Sequence, residues 1–176
     1  MTHEMPILSR IIDVTSLAAG GDEHRIASSA EERAALAKML QLPSIEALEA
    51  SLTVEQERGG VIHVHGELTA AFQQVCTVTI EPFETTMREP VDIRFAPPEK
   101  VAAMAAAAVE DPEADDLPDP YEDDQIDLGA VVQEFFVLGL DPYPRKPGAV
   151  FDYSDENDEK LSPFAKLAAL TPSSKH

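Results

Sequence analysis

The spacing of apolar residues along the chain predicts an antiparallel sheet in its first half. Apolar and polar residues alternate over 48–54, which is the period of a strand with one solvated face. The Gly59-Gly60 pair allows a tight hairpin turn, and the alternation resumes at even positions over 62–80. Because one strand of that length is unusual, we expect Gly66 or the Gln73-Gln74 pair to mark a bend or bulge.

Two further runs extend this sheet. A third alternating set occupies odd positions over 83–95, and Pro90 places it at a sheet edge because proline cannot donate to a ladder. The β-branched stretch Ile7–Leu17 predicts a first strand. Together these runs indicate an α+β fold: a twisted antiparallel β-meander, curled toward a barrel and packed by a few short helices.

Four stretches predict those helices. Ser28 and Ser29 each precede a glutamate by three residues, so a capping box opens the first helix, which runs to Leu40. Another helix has Asp127 as its N-cap and Gly139 just beyond its end. Its apolar stripe, which should pack on the sheet, consists of Leu128, Val131, Val132, Phe135 and Phe136. The remaining two stretches are Glu99–Val109 and Ser162–Leu170.

Composition adds one feature, which is a large excess of acidic residues. The 176 residues include 33 Asp or Glu and 13 Lys or Arg, a net charge of −20, while 44% are hydrophobic, enough for a core. Length fits a single domain over residues 1–176. Glu110 to Asp127 holds ten acids and three prolines, so we predict a disordered acidic loop over residues 110–126. A second acidic loop is expected at 152–160 and a flexible tail at 171–176.

The same numbers limit the function classes. A strongly negative field repels phosphate backbones and suits a basic partner protein. One cysteine excludes an internal disulfide, and we see neither a secretory signal nor an apolar run long enough to cross a bilayer. We therefore expect a cytoplasmic protein of a bacterial type, with no contact to membrane or DNA.

Candidate chemistry is sparse. His63, His65 and Glu67 alternate on one strand face and are metal-ligand types, but no fourth ligand is suggested, so we expect a solvated face and no metal. Cys76 lies in phase with the apolar positions, which favours a buried structural thiol over a nucleophile. Phosphate-binding, dinucleotide-binding and hydrolase motifs are absent from the sequence. We expect no enzyme, no catalytic residue and no cofactor.

The segment Pro142–Gly148 differs from the rest of the chain. It contains the only adjacent basic pair, Arg145-Lys146, beside Tyr143 and among three prolines that stiffen the backbone. Stiffness lowers the entropy cost of presenting these side chains to a partner, and Tyr and Arg are typical of contact sites. Two interpretations stay open: a contact site, or a connector whose charges point to water.

Three stretches together resemble the bacterial YceD family, in its alphaproteobacterial branch, from about residue 7 onward. They are Gly66–Ala70 continuing through Gln74–Pro82, then Ile126–Gly129 with Glu134 downstream, and then Leu140–Gly148 followed by Ser162–Leu167. Many members of the wider family carry a second cysteine soon after the position of Cys76 and more toward the C-terminus. Here Val78, Thr79 and the Arg-Lys-Pro segment stand in their place, so a metal role does not carry over.

The resemblance implies a non-enzymatic ribosome biogenesis factor that supports accumulation of 23S ribosomal RNA and assembly of the large subunit. It implies no catalytic residues. We assign partner binding to Glu134, Asp141, Tyr143, Pro144, Arg145, Lys146 and Pro147. We assign structural motif roles to Gly66, Cys76, Glu81, Pro82, Asp127, Leu128 and Gly148.

Two mechanisms are open at this point. In the first, the acidic chain binds a basic large-subunit ribosomal protein, with the acidic loops giving fast, salt-sensitive capture. In the second, the chain contacts precursor 23S ribosomal RNA directly through a local basic and aromatic surface. The residues of that surface are Tyr143, Arg145 and Lys146, with Arg88 and Arg94 as further candidates.

Overall fold

The structure, a computed structural model, describes residues 6–18, 20–108 and 116–150. Its seven strands and three α-helices are, in chain order, β1 (Ile11–Asp13), β2 (Asp22–Ala27), α1 (Ala30–Leu40), β3 (Ser44–Gln56), β4 (Ile62–Val75), β5 (Pro82–Ala96), α2 (Pro98–Ala108), β6 (Asp119–Pro120), β7 (Gln125–Asp127) and α3 (Leu128–Leu138). The loop predicted at 152–160, the helix at 162–170 and the tail at 171–176 lie outside the described residues.

The predicted α+β class is confirmed. The main sheet has the order β2-β3-β4-β5-β6, and its pairs are antiparallel except for β5 with β6, which is parallel. Strands β1 and β7 form a separate antiparallel pair. The expected curl toward a barrel does not lead to closure, since among the described strands β2 and β6 end the sheet as its two edges.

The bulge expected at Gly66 or Gln73-Gln74 is not found in β4. Strand β4 pairs with β5 in unbroken register over its whole length, and the register shift lies instead in β3, between Ile45 and Ala47. The structure explains in a different way why residue 66 is a glycine. A Cβ there would overlap the carbonyl oxygen of Ser51 and lie 2.9 Å from the Cα of Leu52 on the neighbouring strand. Gly66 therefore allows the close approach of β3 and β4.

Other differences lie at the ends of elements. The first strand covers only Ile11–Asp13, because Asp13 caps a 3₁₀ turn over Val14–Ser16. The alternation of the second run stops after Cys76, and Ile80 is exposed with a φ of 58°. Gly139 ends α3 in the right-handed region, rather than in the left-handed conformation expected at a C′ glycine.

The predicted acidic loop is ordered in part. Residues 110–115 lie outside the described residues, but residues 116–126 contain β6 and most of β7. Strand β6 pairs with Phe95–Ala96 and β7 with Ile11–Asp13. Disorder over the whole of 110–126 is therefore wrong for its second half, because partners that are distant in the sequence hold this backbone.

The core lies between the main sheet, α1 and α3. The predicted capping box is confirmed at Ser29 and Glu32, and α1 buries Leu36 against the sheet. The aromatic stripe of α3 also packs as predicted, with the rings of Phe72 and Phe136 edge to face at 5.4 Å. Each α-helix spans 11 residues, and none of the described helices is long and apolar enough to cross a membrane.

Asp127 joins the start of α3 to the N-terminal segment. Its carboxylate accepts hydrogen bonds from the backbone N–H groups of Gly129 (2.9 Å) and Ala130 (3.1 Å), as an N-cap does. It also accepts from the backbone N–H of Arg10 at 2.6 Å and from the hydroxyl of Ser9 at 2.7 Å. The first residue of α3, Leu128, is fully buried. One side chain thus holds four donors and fixes the position of α3.

We expect Asp127→Ala to lower the free energy of unfolding by about 2–4 kcal/mol, because it removes an N-cap and leaves two further donors without an acceptor. Asp13→Ala is the matched control. Asp13 is also an N-cap, but it is exposed, and among the described residues its carboxylate accepts only from the backbone N–H and hydroxyl of Thr15, so about 1 kcal/mol or less is expected. Urea unfolding followed by circular dichroism measures both, and equal losses would contradict this role of Asp127.

Candidate functional site

The segment Asp141–Gly148 lies against the turn between β4 and β5, and we call it the docked connector. The carbonyl of Pro144 accepts from the backbone N–H of Thr77 at 2.9 Å and from its hydroxyl at 3.2 Å. The buried amide of Gln74 donates to the carbonyl of Asp141 at 3.3 Å. The Lys146 ammonium pairs with Glu81 at 3.0 Å. The structure therefore brings the first and third motif stretches together.

Cys76 lies at the centre of this contact. Its sulfur is fully buried and accepts from the backbone N–H groups of Val78 (3.4 Å), Thr79 (3.5 Å) and Lys146 (3.3 Å). The hydrogen bond with the Thr79 side chain, followed by the one from the Lys146 backbone, lowers the pKa of the Cys76 thiol to about 6, against the opposing effect of desolvation. The thiolate thus joins the β4–β5 turn to the docked connector.

This thiolate makes the stability of the fold depend on pH. The pKa of Cys76 is about 6 in the folded chain and near 9 when unperturbed, so the folded state binds fewer protons between these values. We expect the free energy of unfolding to rise from pH 6 to pH 9 and the contribution to be lost as pH falls through 6. Cys76→Ser should lack this rise, since serine does not titrate there. Parallel urea titrations measure the difference; identical slopes would contradict a folded-state thiolate.

The remaining residues of the docked connector point to solvent. The Tyr143 ring is 74% exposed, and Arg145 and Pro147 are exposed as well. Asp141 stabilises the turn itself by accepting from the backbone N–H of Tyr143 at 2.8 Å. Gly148 adopts a positive φ of 79°. The segment is thus a fixed connector that presents Tyr143 and Arg145.

A groove of about 340 Å³ lies elsewhere, where α3, β6, β7 and β1 meet, and we call it the acidic groove. Its apolar lining includes Val131 of α3 and Ile11 of β1, the latter 61% exposed. Its rim carries Asp119, Glu122 and Glu134, all exposed. Among the described residues no lysine or arginine pairs with Glu122 or Glu134.

Glu134 is therefore separated from the other residues that we assign to partner binding. It lines the acidic groove, whose lining contains no residue of the docked connector. Sequence reasoning missed Ile11, Asp119 and Glu122 as members of the same surface. No local pattern could have revealed them, because β1 pairs with β7 and β5 pairs with β6, and these pairings bring distant parts of the chain together around the groove.

His63 and His65 form a polar cluster, but Glu67 is not the carboxylate that lies beside them. Glu67 forms an ion pair with Arg88, which lowers the pKa of Glu67. Glu55, on the adjacent strand β3, takes its place: its carboxylate lies 3.7 Å from Nδ1 of His63 and 3.5 Å from Nε2 of His65. One ligand atom from each of these three residues lies within 4.8 Å of the others, so the set can hold a metal ion.

Comparison with known proteins gives one match. The model of the family described as "Large ribosomal RNA subunit accumulation protein YceD" matches residues 64–171, which is more than half of the chain. No curated protein and no solved structure matches. The matched range includes most of β4 and all of β5 and α3, and so covers Cys76, the docked connector and every residue that lines the acidic groove except Ile11.

Proposed function

The chain belongs to the YceD family, whose description names accumulation of the large ribosomal RNA, and from this premise we propose that it is a non-enzymatic assembly factor that binds a basic protein of the large ribosomal subunit. The family name implies the part played in accumulation of the RNA. The mode of action, capture of a basic protein, is our inference from charge and shape. One observation carries it: the acidic groove combines apolar side chains with rim carboxylates that have no lysine or arginine partner among the described residues.

The groove matches the chemistry of a lysine- or arginine-rich segment. Long basic side chains bury their aliphatic stems on apolar surface and keep the charged head in water. Here the exposed Ile11 offers that apolar surface, while the rim carboxylates of Glu122 and Glu134 lie at its border. A partner segment of alternating basic and apolar residues would thus be complementary to the groove.

The net charge of the whole chain also favours a basic partner. A net charge of −20 attracts a basic protein over distances of about the Debye length, roughly 8–10 Å at physiological salt. Long-range attraction raises the association rate, whereas contacts in the groove set the dissociation rate. This division of roles keeps a basic ribosomal protein bound until it is transferred to RNA, which carries a higher density of negative charge.

Titration of the full chain with a purified small basic large-subunit protein tests this proposal. We expect one-to-one binding that weakens steeply between about 50 and 300 mM salt, because rim charges are screened. Neutralising the acids of Glu110–Asp116, which precede the rim residues in the chain, should slow association. Binding that is insensitive both to salt and to this neutralisation would contradict capture by charge.

Direct contact with RNA is the second candidate, and exposure of Tyr143 beside Arg145 favours it. The other candidate cations are paired: Lys146 with Glu81, Arg88 with Glu67, and Arg94 with Glu57. Arg88 and Arg94 also lie along β5, opposite Thr69 and His63, and not at the β4–β5 turn where Tyr143 lies. Pairing reduces the local positive charge that phosphate binding requires. If RNA is the partner, Arg145→Ala with Lys146→Ala abolishes co-purification of RNA, and acidic groove variants leave it unchanged.

A further inference from the structure

The polar face of the main sheet carries a cluster whose atoms converge on one point. Antiparallel register places Glu55 of β3 directly opposite His63 of β4, and His65 opposite Asp92 of β5. The imidazole rings of His63 and His65 lie 4.6 Å apart and are tilted by 32°. Three adjacent strands therefore supply two imidazoles and several carboxylates to the same spot.

Hydrogen bonding fixes the orientation of the His63 ring. Its Nε2 lies 2.9 Å from a carboxylate oxygen of Asp92. An ionised carboxylate carries no proton and can only accept a hydrogen bond. Nε2 of His63 must then carry the proton and donate, and a neutral ring has its lone pair on Nδ1.

That lone pair faces further acceptors. Nδ1 of His63 lies 3.3 Å from a carboxylate oxygen of Glu57 and 3.7 Å from one of Glu55. The same oxygen of Glu55 lies 3.5 Å from Nε2 of His65. Ring nitrogens and carboxylate oxygens that converge in this way need a positive charge between them, which either protonation of the imidazoles or a bound cation supplies. In proteins, a histidine that ligates a metal is also commonly oriented by donating the N–H of its other ring nitrogen to a carboxylate.

The local charge fits a dication. The cluster contains three carboxylates, Glu55, Glu57 and Asp92, and one guanidinium, that of Arg94. Arg94 engages Glu57 through two nitrogens, each at 3.3 Å, and approaches Asp92 at 3.6 Å. Two negative charges remain, and Glu55 has no arginine or lysine partner among the described residues.

We propose that Nδ1 of His63, Nε2 of His65 and the carboxylate of Glu55 bind a divalent transition-metal ion of the zinc class, with Asp92 orienting His63 from behind. Two imidazoles and one carboxylate are a donor set that Zn²⁺ accepts with a fourth position left for water. Tetrahedral bonds of about 2.0–2.1 Å place donor atoms about 3.3–3.4 Å apart. The separations at Glu55, 3.5 and 3.7 Å, are close to that, and one donor atom from each of the three residues lies within 4.8 Å of the others.

Zinc titration of the full chain, purified without a metal-affinity tag and stripped with a chelator, tests this site. At about pH 7.5 and micromolar Zn²⁺, where imidazoles are neutral, calorimetry should show one equivalent bound at this site. His63→Gln and Glu55→Gln should each weaken this binding at least roughly 100-fold, and Asp92→Asn by about 10–100-fold. Glu55 is 44% exposed, so its variant should fold normally, as circular dichroism will verify.

Glu67→Gln is the matched control, because Glu67 lies on the same face and strand as the two histidines but pairs with Arg88. Its affinity for Zn²⁺ should match that of the unmodified chain. Co²⁺ loaded in place of Zn²⁺ should show no thiolate charge-transfer absorption, and Cys76→Ser should retain the site. Binding that survives His63→Gln, that is lost in Glu67→Gln or Cys76→Ser, or that is absent from the unmodified chain overturns the proposal.

Discussion

Replacing Gly66 with alanine should lower the free energy of unfolding by at least about 4 kcal/mol, a large part of the stability of a typical domain. Its φ of +155° is a backbone conformation that residues with a Cβ rarely adopt. An added Cβ would also overlap the Ser51 carbonyl oxygen and lie 2.9 Å from the Cα of Leu52. These are backbone atoms of β3, so no side-chain rotation relieves the clash. The strands would have to separate in the middle of the sheet.

Gly60→Ala is the matched control for this prediction. Gly60 also has a positive φ, 79°, but its nearest neighbour to an added Cβ is the end of the Gln56 side chain at 3.8 Å. Only the conformational cost remains there, about 1–2 kcal/mol. Thermal and urea unfolding followed by circular dichroism compare the two variants. Similar losses for both would show that close approach of β3 and β4 is not what Gly66 provides.

Reversing the charge of two rim residues, Glu122→Lys with Glu134→Lys, should weaken binding of the basic ribosomal protein at least roughly 100-fold at low salt. Each substitution places a lysine opposite a basic group of the partner. The resulting repulsion weakens binding more than removal of the carboxylate alone would. Both side chains are exposed and have no cation partner among the described residues, so the fold should be unaffected. Fluorescence anisotropy with the purified partner measures the change, and the melting temperature confirms folding.

A control of equal net charge separates local from overall electrostatics. Glu49→Lys with Glu84→Lys changes the net charge by the same amount, at exposed positions of β3 and β5 outside the acidic groove. We expect this control to reduce affinity only a few-fold, through the long-range field. If both double variants weaken binding equally, the −20 charge as a whole accounts for binding and the groove does not.

Local signals in the sequence predicted the helices and the hairpin well. The capping box of α1 and the Asp127 N-cap of α3 depend on residues three or fewer positions apart, and both are confirmed. The β3–β4 hairpin follows from its glycine pair. The bulge between Ile45 and Ala47 and the strands β6 and β7 were missed, because pairing with distant segments determines them and no local pattern marks it.

The two candidate sites also differ in how far the sequence could predict them. The sequence singled out His63 and His65, and counting back across the hairpin turn would have placed Glu55 opposite His63. It could not place Asp92, which reaches His63 diagonally. The acidic groove was beyond sequence reasoning, because Ile11, Glu122 and Glu134 are brought together only by tertiary packing. Assigning residues 110–126 entirely to disorder hid two of its rim residues.

One pull-down tests the central claim most directly. The tagged full chain and its Glu122→Lys/Glu134→Lys variant are recovered from cells, each sample is split with and without ribonuclease, and both halves are analysed by quantitative mass spectrometry and RNA sequencing. We expect a basic large-subunit ribosomal protein that survives ribonuclease with the unmodified chain and is lost with the variant. Recovery of precursor large-subunit RNA without such a protein, equally by both chains, would contradict capture of a basic protein in the acidic groove.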